Sequence, residues 1–203
     1  MNSLKAVNIL VATLMLALAG VASAEDQPID VINGAIDNIA VGLAANRTLY
    51  EDDKSELYAF VDELLDPRFD RNYAGRLVLA KHWRTASTEQ KRRFIDGFYS
   101  AMLSRYAEGI LEFREDIVKV LPPRGEPKKN RAQVKTLVTI DSGEEVPVNY
   151  GLVKRGDAGW KVYDVTIEGI SYITNFRAEI DSEIKKTSLD AVIARLEKEA
   201  GTE

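Results

Sequence analysis

Three consecutive segments with the composition of β-strands constrain the fold more than any other part of the sequence. They cover residues 133–140, 146–154 and 160–168, and a shorter β-like segment precedes them at residues 117–121. The connections Asp141-Ser142-Gly143 and Gly156-Asp157-Ala158-Gly159 are short and rich in turn-forming residues. Because turns of this length join neighbouring antiparallel strands, the sequence predicts an antiparallel sheet.

Helical periodicity marks the sequence on both sides of these segments. Apolar residues from Ile29 to Leu43 recur at spacings of three and four, which places them on one helix face. Similar patterns predict helices over residues 52–65, 70–83 and 169–185, and a last helix from Leu189 onward. Helices, then an antiparallel sheet, then helices is the order of an α+β fold with helices laid over one face of the sheet.

One further helix has the clearest start in the sequence. Ser87 and Gln90 fit a capping box, in which each side chain accepts a hydrogen bond from the other residue's backbone N–H. Apolar and mostly aromatic residues then follow at every fourth position: Phe94, Phe98, Met102, Tyr106 and Ile110. A stripe this broad either fills an ordinary core or lines a cavity, and composition does not distinguish the two.

The first 24 residues are typical of a secretory signal peptide. Lys5 precedes an apolar run over residues 6–20, and Ala22-Ser23-Ala24 provides the small residues of a cleavage site. We therefore expect cleavage after Ala24 and a single domain over residues 25–203. That mature chain has 26 basic and 32 acidic residues, a net charge of −6, which argues against nucleic acid as a partner.

Few residues in the sequence are suited to catalysis. The absence of cysteine excludes thiolate metal sites and cysteine nucleophiles, and His82 is the only histidine. We interpret His82 as a surface or half-buried structural residue. Asp164 lies within a predicted strand, where a carboxylate is expected to be paired with a cation such as Arg177 or hydrogen-bonded.

Two longer motifs resemble the periplasmic phospholipid-binding family MlaC, also called the toluene-tolerance auxiliary family. The sequence WKVYD at residues 160–164 leads into EGIS at residues 168–171 and then NFR at residues 175–177. Upstream, WRTASTEQKRRF at residues 83–94 is similar to a second family segment. The resemblance covers nearly the whole mature chain, with Ala80-Lys81 as a departure where many relatives have Leu-Gly.

The resemblance implies a fold similar to the nuclear-transport-factor (NTF2-like) family, with a curved antiparallel sheet, several helices and a lipid cavity between them. It implies a monomeric, non-enzymatic periplasmic carrier whose cargo is a phospholipid, with no other cofactor and no metal. Its expected partners are an inner-membrane ABC transporter complex of the MCE type and an outer-membrane lipoprotein–porin complex, in a pathway that maintains outer-membrane lipid asymmetry.

Residues from the aromatic helix, the sheet and the segment after Gly169 are the candidates for lipid contact. Gly169 permits a sharp bend, which is expected to aim Ile170 between sheet and helix. The predicted lipid-binding residues are Phe94, Phe98, Met102, Tyr106, Val148, Tyr150, Leu152, Tyr163, Val165, Ile170, Tyr172 and Ile173.

Two other functions remain open from the sequence. One is a non-enzymatic periplasmic adaptor with a filled core. The other is a small isomerase or dehydratase of the same cone-shaped fold, which would need an Asp–His pair in its pocket. The basic segment Lys128-Lys129-Asn130-Arg131 is predicted to be a solvated hairpin, with docking on the membrane complexes as its functional alternative.

Overall fold

The computed structural model describes residues 27–123, 125 and 127–201, so the predicted signal peptide lies outside the described residues. The described chain is α+β, as the sequence predicted, with six α-helices and a five-stranded antiparallel sheet. Within these residues, no helix combines the length and the apolar character needed to cross a bilayer.

Three helices precede the aromatic helix: α1 (Pro28–Asp52), α2 (Lys54–Leu65) and α3 (Arg71–Leu79). Asp53 and Asp70 cap α2 and α3 by accepting hydrogen bonds from the backbone N–H groups of Ser55 and Tyr73, both at 2.9 Å. The sequence placed the third helix as far as residue 83. It ends at Leu79 because Ala80 takes φ 47°, and a 3-10 turn over Ala80–Arg84 follows.

Helix α4 (Thr88–Tyr106) begins at the predicted capping box, which is confirmed. The Ser87 hydroxyl accepts from the N–H of Gln90 at 3.1 Å, and the Gln90 side chain accepts from the N–H of Ser87 at 3.0 Å. Two 3-10 segments, Ala107–Glu112 and Glu115–Ile117, connect α4 to the sheet. Ile110, which the stripe placed in this helix, therefore lies in the first of them.

The sheet has the strand order β1 to β5, with every neighbouring pair antiparallel. Its strands are β1 (Val118–Val120), β2 (Arg131–Thr139), β3 (Glu145–Lys154), β4 (Trp160–Ile167) and β5 (Ile170–Ser171). Gly151 pairs with Asp164 but Leu152 pairs with Val162, so β4 has one extra residue at Tyr163. This β-bulge reverses which face alternate side chains of β4 occupy.

The last two helices are α5 (Tyr172–Lys186) and α6 (Leu189–Glu199). Helix α5 starts three residues after the predicted Gly169, because Glu168 and Gly169 have positive φ and form a turn before β5. Ser171 and Ser188 cap the two helices by accepting from the N–H groups of Thr174 and Ala191, both at 3.1 Å.

Apolar side chains form separate clusters rather than one continuous core. Helices α3, α4, α5 and α6 share one cluster, which contains Phe94, Phe176 and Ile193. Another joins Ile32 of α1 to the inner face of the sheet, and a third joins α1 and α2 to the 3-10 segment after α4. The space between these clusters is the cavity.

Candidate functional site

A cavity of about 1250 Å³ lies between the inner face of the sheet and the helices. Pockets for drug-sized ligands usually enclose about 300–1,000 Å³, so this volume suits a larger molecule. Strands β2, β3 and β4 provide one wall, which includes Val138, Val148, Tyr150, Val162, Val165 and Ile167. Helices α1, α2 and α4 provide the opposite wall, which includes Val31, Ile32, Ala35, Ile36, Ile39, Val61, Leu64, Leu65, Phe98, Met102 and Leu103.

The walls are apolar because the sheet and the helices each turn their apolar face toward the cavity. Alternate residues of β3, Val148 and Tyr150, point inward, as the pleat requires. On α1, the periodic stripe that includes Ile32, Ile36 and Ile39 faces them across the cavity. Burial raises the pKa of Tyr150 above its usual range, so its phenol stays neutral at physiological pH.

Charged residues are concentrated on one part of the lining, which we call the rim. It consists of Arg47, Glu112, Arg114 and Asp141, of which all but Arg47 are exposed. The remaining charged residue of the lining, Arg68, donates to the carbonyl oxygens of Leu64 and Gly34. The Arg47 guanidinium donates to the carbonyl oxygens of Leu111 and Phe113, the second at 3.3 Å, which ties α1 to the 3-10 segment. The cavity therefore offers a ligand an apolar interior and a polar, solvated opening.

Six of the twelve predicted lipid-binding residues line the cavity: Phe98, Met102, Tyr106, Val148, Tyr150 and Val165. Phe94 does not: one turn before Phe98 on the same side of α4, it stacks on the Phe98 ring with 5.7 Å between centroids and is fully buried in the cluster shared with α3, α5 and α6. Leu152 is also fully buried, against Ile32 and Trp160 rather than the open space. The structure thus places these two residues outside the cavity lining.

Tyr163 is placed on the outer face of the sheet by the β-bulge. Strict alternation from Val165 puts residue 163 on the inner face, but the extra residue in β4 gives that face to Val162. The Tyr163 ring instead packs edge-on against Tyr73, with 5.1 Å between ring centroids. The structure thus places Tyr163 outside the cavity lining, which the sequence does not indicate because a bulge leaves no pattern in a single strand.

The segment after Gly169 also lies outside the cavity lining. Ile170 belongs to the edge strand β5 and is 63% exposed, so it is not aimed between sheet and helix. Ile173 is buried in the helical cluster, and Tyr172 packs edge-on against Tyr106 with 5.8 Å between ring centroids. Tyr172 therefore supports a lining residue without lining the cavity itself.

Sequence reasoning missed the contribution of α1 and of the 3-10 segment after α4. The stripe of α1 was recognised as a buried face, but its pattern does not show that the face borders a cavity. Ile110, Leu111 and Phe113 line the cavity as well. Tertiary contacts place them there, since Phe113 and its neighbours are held by Arg47 from α1.

The groups considered for catalysis lie outside the cavity lining. His82 Nε2 lies 2.7 Å from Asp181 Oδ1, between the 3-10 turn and α5. Asp164 accepts from the Ser171 hydroxyl at 2.7 Å and from the Ile173 N–H at 3.1 Å, and so stabilises the start of α5. The Asp164 carboxylate is therefore hydrogen-bonded, as predicted, but the suggested partner Arg177 donates to the Leu77 carbonyl.

No cluster of His, Cys, Asp and Glu able to hold a metal ion occurs in the part of the chain that the structure describes. The cavity offers shape and apolar surface, together with a charged rim. Its lining can hold a long apolar molecule with a polar end near solvent.

The sequence is similar to those of two known proteins. The toluene tolerance protein ttg2D of Pseudomonas putida is 28% identical over 168 residues, which cover 82% of this chain and 77% of that protein. The intermembrane phospholipid transport system binding protein MlaC of Haemophilus influenzae is 22% identical over 181 residues, covering 88% and 85%.

A solved structure shares the fold. The phospholipid-binding protein from Ralstonia solanacearum, determined in complex with a phospholipid, superimposes with a TM-score of 0.75 and 23% identity, covering 85% of this chain and 96% of that chain. The sequence profile of the family described as MlaC protein matches residues 33–198. Because that match spans most of the sequence, the chain belongs to the MlaC protein family.

Proposed function

We propose that this protein is a periplasmic carrier that holds the acyl chains of a glycerophospholipid in the cavity between its sheet and its helices. The cavity of about 1250 Å³ with apolar walls is the observation that carries the proposal. The phospholipid bound to the Ralstonia solanacearum protein of the same fold supports the choice of ligand.

The cavity's volume favours one diacyl lipid as the cargo. A methylene group takes up about as much space as a water molecule, ~30 Å³, so 1250 Å³ corresponds to roughly 40 methylene volumes. That space suits the two acyl chains of one phospholipid. Each methylene transferred from water contributes about 0.8 kcal/mol, so enclosure of the tails is enough to retain the lipid.

The rim suits a headgroup that stays in contact with solvent. Glu112, Arg114 and Asp141 carry both signs of charge and are exposed, so they do not select one headgroup by a closed pocket. The cavity lining contains neither His82 nor Asp164, which disfavours the isomerase or dehydratase alternative. A carrier without catalytic groups is the better interpretation, and the empty volume disfavours an adaptor with a filled core.

In this proposal the carrier moves phospholipid across the periplasm after cleavage of the signal peptide at Ala24. It exchanges lipid with an inner-membrane ABC transporter complex of the MCE type and with an outer-membrane lipoprotein–porin complex, and so maintains outer-membrane lipid asymmetry. The printed description of the Haemophilus influenzae relative, a binding protein of intermembrane phospholipid transport, supports this role.

The test is to express the chain with its signal peptide, export it, and purify it without detergent. Extraction with organic solvent and mass spectrometry should then show diacyl glycerophospholipid in near-stoichiometric amount, with no accumulation of lysophospholipid or free fatty acid. Protein that is folded and carries no lipid would contradict the carrier proposal, and steady release of fatty acid would favour an enzyme.

A further inference from the structure

The outer face of the sheet, which points away from the cavity, carries four basic residues on three strands. In β2, Val134 and Thr136 are buried on the inner face, while Arg131, Gln133 and Lys135 are exposed on the outer face. Alternation places Lys119 of β1 and Lys161 of β4 on this outer face as well. We call Lys119, Arg131, Lys135 and Lys161 the basic sheet face.

The strand register places these cations within reach of a single partner surface. Arg131 and Lys161 both pair with Val153 of β3, one from each side, so their backbones lie two strand spacings apart, about 10 Å. Lys119 pairs with Leu137, which makes it a diagonal neighbour of Lys135. Basic residues on β1, β2 and β4 therefore lie on both sides of β3.

Three acidic residues lie close to this face: Asp70, Asp164 and Glu145, the last of which alternation places on the outer face of β3. Asp70 is bound by Arg155, with 2.5 Å between Oδ2 and Nε, and Asp164 accepts hydrogen bonds from Ser171 and Ile173. Across residues 27–123, 125 and 127–201, no ion pair involves Lys119, Lys135 or Lys161. With four basic residues against Glu145 and Asp164, a chain with a mature net charge of −6 thus has an excess of positive charge on this surface.

Aromatic rings hold two guanidinium groups in place beside these lysines. Arg131 donates to the Tyr73 hydroxyl, and its guanidinium carbon lies 5.6 Å from the Tyr73 ring centroid and 5.7 Å from that of Tyr163. Arg155 lies 4.6 Å from the Tyr73 centroid. Guanidinium groups fixed in this way lose less side-chain entropy on binding a carboxylate, which they can bind through two hydrogen bonds.

We propose that the basic sheet face is the docking surface for an acidic protein surface on the membrane-anchored complexes that exchange lipid with this carrier. The inference deepens the proposed function and rests on it, since a carrier must dock in order to deliver its cargo. A protein partner fits better than an anionic bilayer. A local excess of positive charge on an acidic molecule orients it toward a local acidic patch, whereas its net charge of −6 repels an extended anionic surface.

The test compares two double variants of the full chain that change the net charge equally. Lys135→Glu/Lys161→Glu alters the basic sheet face, and Lys186→Glu/Lys198→Glu alters exposed positions on α5 and α6. Binding is measured to the inner-membrane transporter complex reconstituted in nanodiscs, and separately to protein-free vesicles of phosphatidylcholine and phosphatidylglycerol in equal parts. Lipid content and thermal melts of each variant are recorded alongside, and Lys135→Gln/Lys161→Gln provides a milder change.

We expect the sheet-face variant to weaken binding to the transporter complex by about tenfold or more at low salt, and the α5–α6 variant to change it little. Raising the salt concentration should reduce the difference, because screening weakens exposed charges. Equal binding of both double variants to the transporter complex would overturn the inference. It would also be overturned if the wild type bound protein-free vesicles and only the sheet-face variant lost that binding. If all variants retain lipid, the carrier proposal stands whatever the docking result. A wild-type protein without lipid would count against the carrier proposal itself.

Discussion

Gly42 of α1 and the ring of Phe60 of α2 meet so closely that a Cβ on residue 42 would lie 2.4 Å from two ring carbons. Phe60 has little freedom to move away, because its ring stacks on Tyr50 with 4.8 Å between centroids. The contact fixes how α1 and α2 pack, and both helices contribute to the cavity wall. A glycine at residue 42 is therefore required by packing, since no positive φ is involved.

Gly42→Ala should destabilise the protein by about 1–2 kcal/mol through overpacking, even though alanine favours a helix interior by about 1 kcal/mol. Urea unfolding measures the change. Gly109→Ala is the matched control, because a Cβ at residue 109 has nothing within 4 Å. A Gly42→Ala protein as stable as the parent would show that α1 and α2 can separate at no cost.

Ala80 has a backbone conformation that strongly favours glycine. Its φ of 47° with ψ of −111° lies where a Cβ clashes with the backbone, and it ends α3 before the 3-10 turn. Ala80→Gly should therefore stabilise the protein by about 1 kcal/mol. Ala178→Gly, at an exposed position inside α5, should instead destabilise it by about the same amount. A thermal melt in which both variants shift the same way would contradict this assignment of strain.

Val165 lines the cavity whereas Ile170 is exposed, so the same substitution at the two positions should have different effects. Val165→Glu places a carboxylate among the apolar walls, so it should expel lipid while water entering the emptied cavity solvates the charge. Ile170→Glu should leave both lipid content and stability unchanged, because Ile170 is 63% exposed. The measurement is lipid per protein by mass spectrometry together with a thermal melt. Full loading of a folded Val165→Glu protein would show that lipid does not occupy this space.

The Asp181 carboxylate lies against three nitrogen donors, two of which are lysine ammonium groups. Hydrogen bonds from Lys185, Lys81 and His82, each at 2.7 Å, hold the pKa of Asp181 well below its usual range. A lowered pKa in the folded state means that this carboxylate stabilises the protein above the unfolded pKa of about 4, and that the contribution is lost as the pH falls toward the folded value.

Asp181→Asn should consequently melt at a lower temperature than the parent at pH 7, and the difference should shrink as the pH is lowered below about 4. Asp116→Asn removes one charge at an exposed site, 3.7 Å from Arg114, and should have little effect at any pH. A difference for Asp181→Asn that stays constant with pH would mean that packing, rather than the ionised carboxylate, accounts for it.

The starts of α4 and α6 could be predicted from the sequence because each depends on residues within a few positions. Ser87 and Gln90 bond each other's backbone, and Ser188 bonds the N–H of Ala191. The antiparallel sheet could also be predicted from local sequence, since short turns leave few ways to join the strands. Ala80 shows the limit: nothing in its neighbours signals a positive φ, so α3 was drawn four residues too long.

Local patterns were enough to predict most of the secondary structure, the order of helices and sheet, and the family to which the chain belongs. Tertiary packing, in contrast, places the apolar stripe of α1 against an open cavity, and a β-bulge turns Tyr163 to the outer face of the sheet. The periodicity of apolar residues shows which face of a helix or strand is buried. The empty volume depends on the separation of elements distant in sequence, which arises from the packing of all of them together.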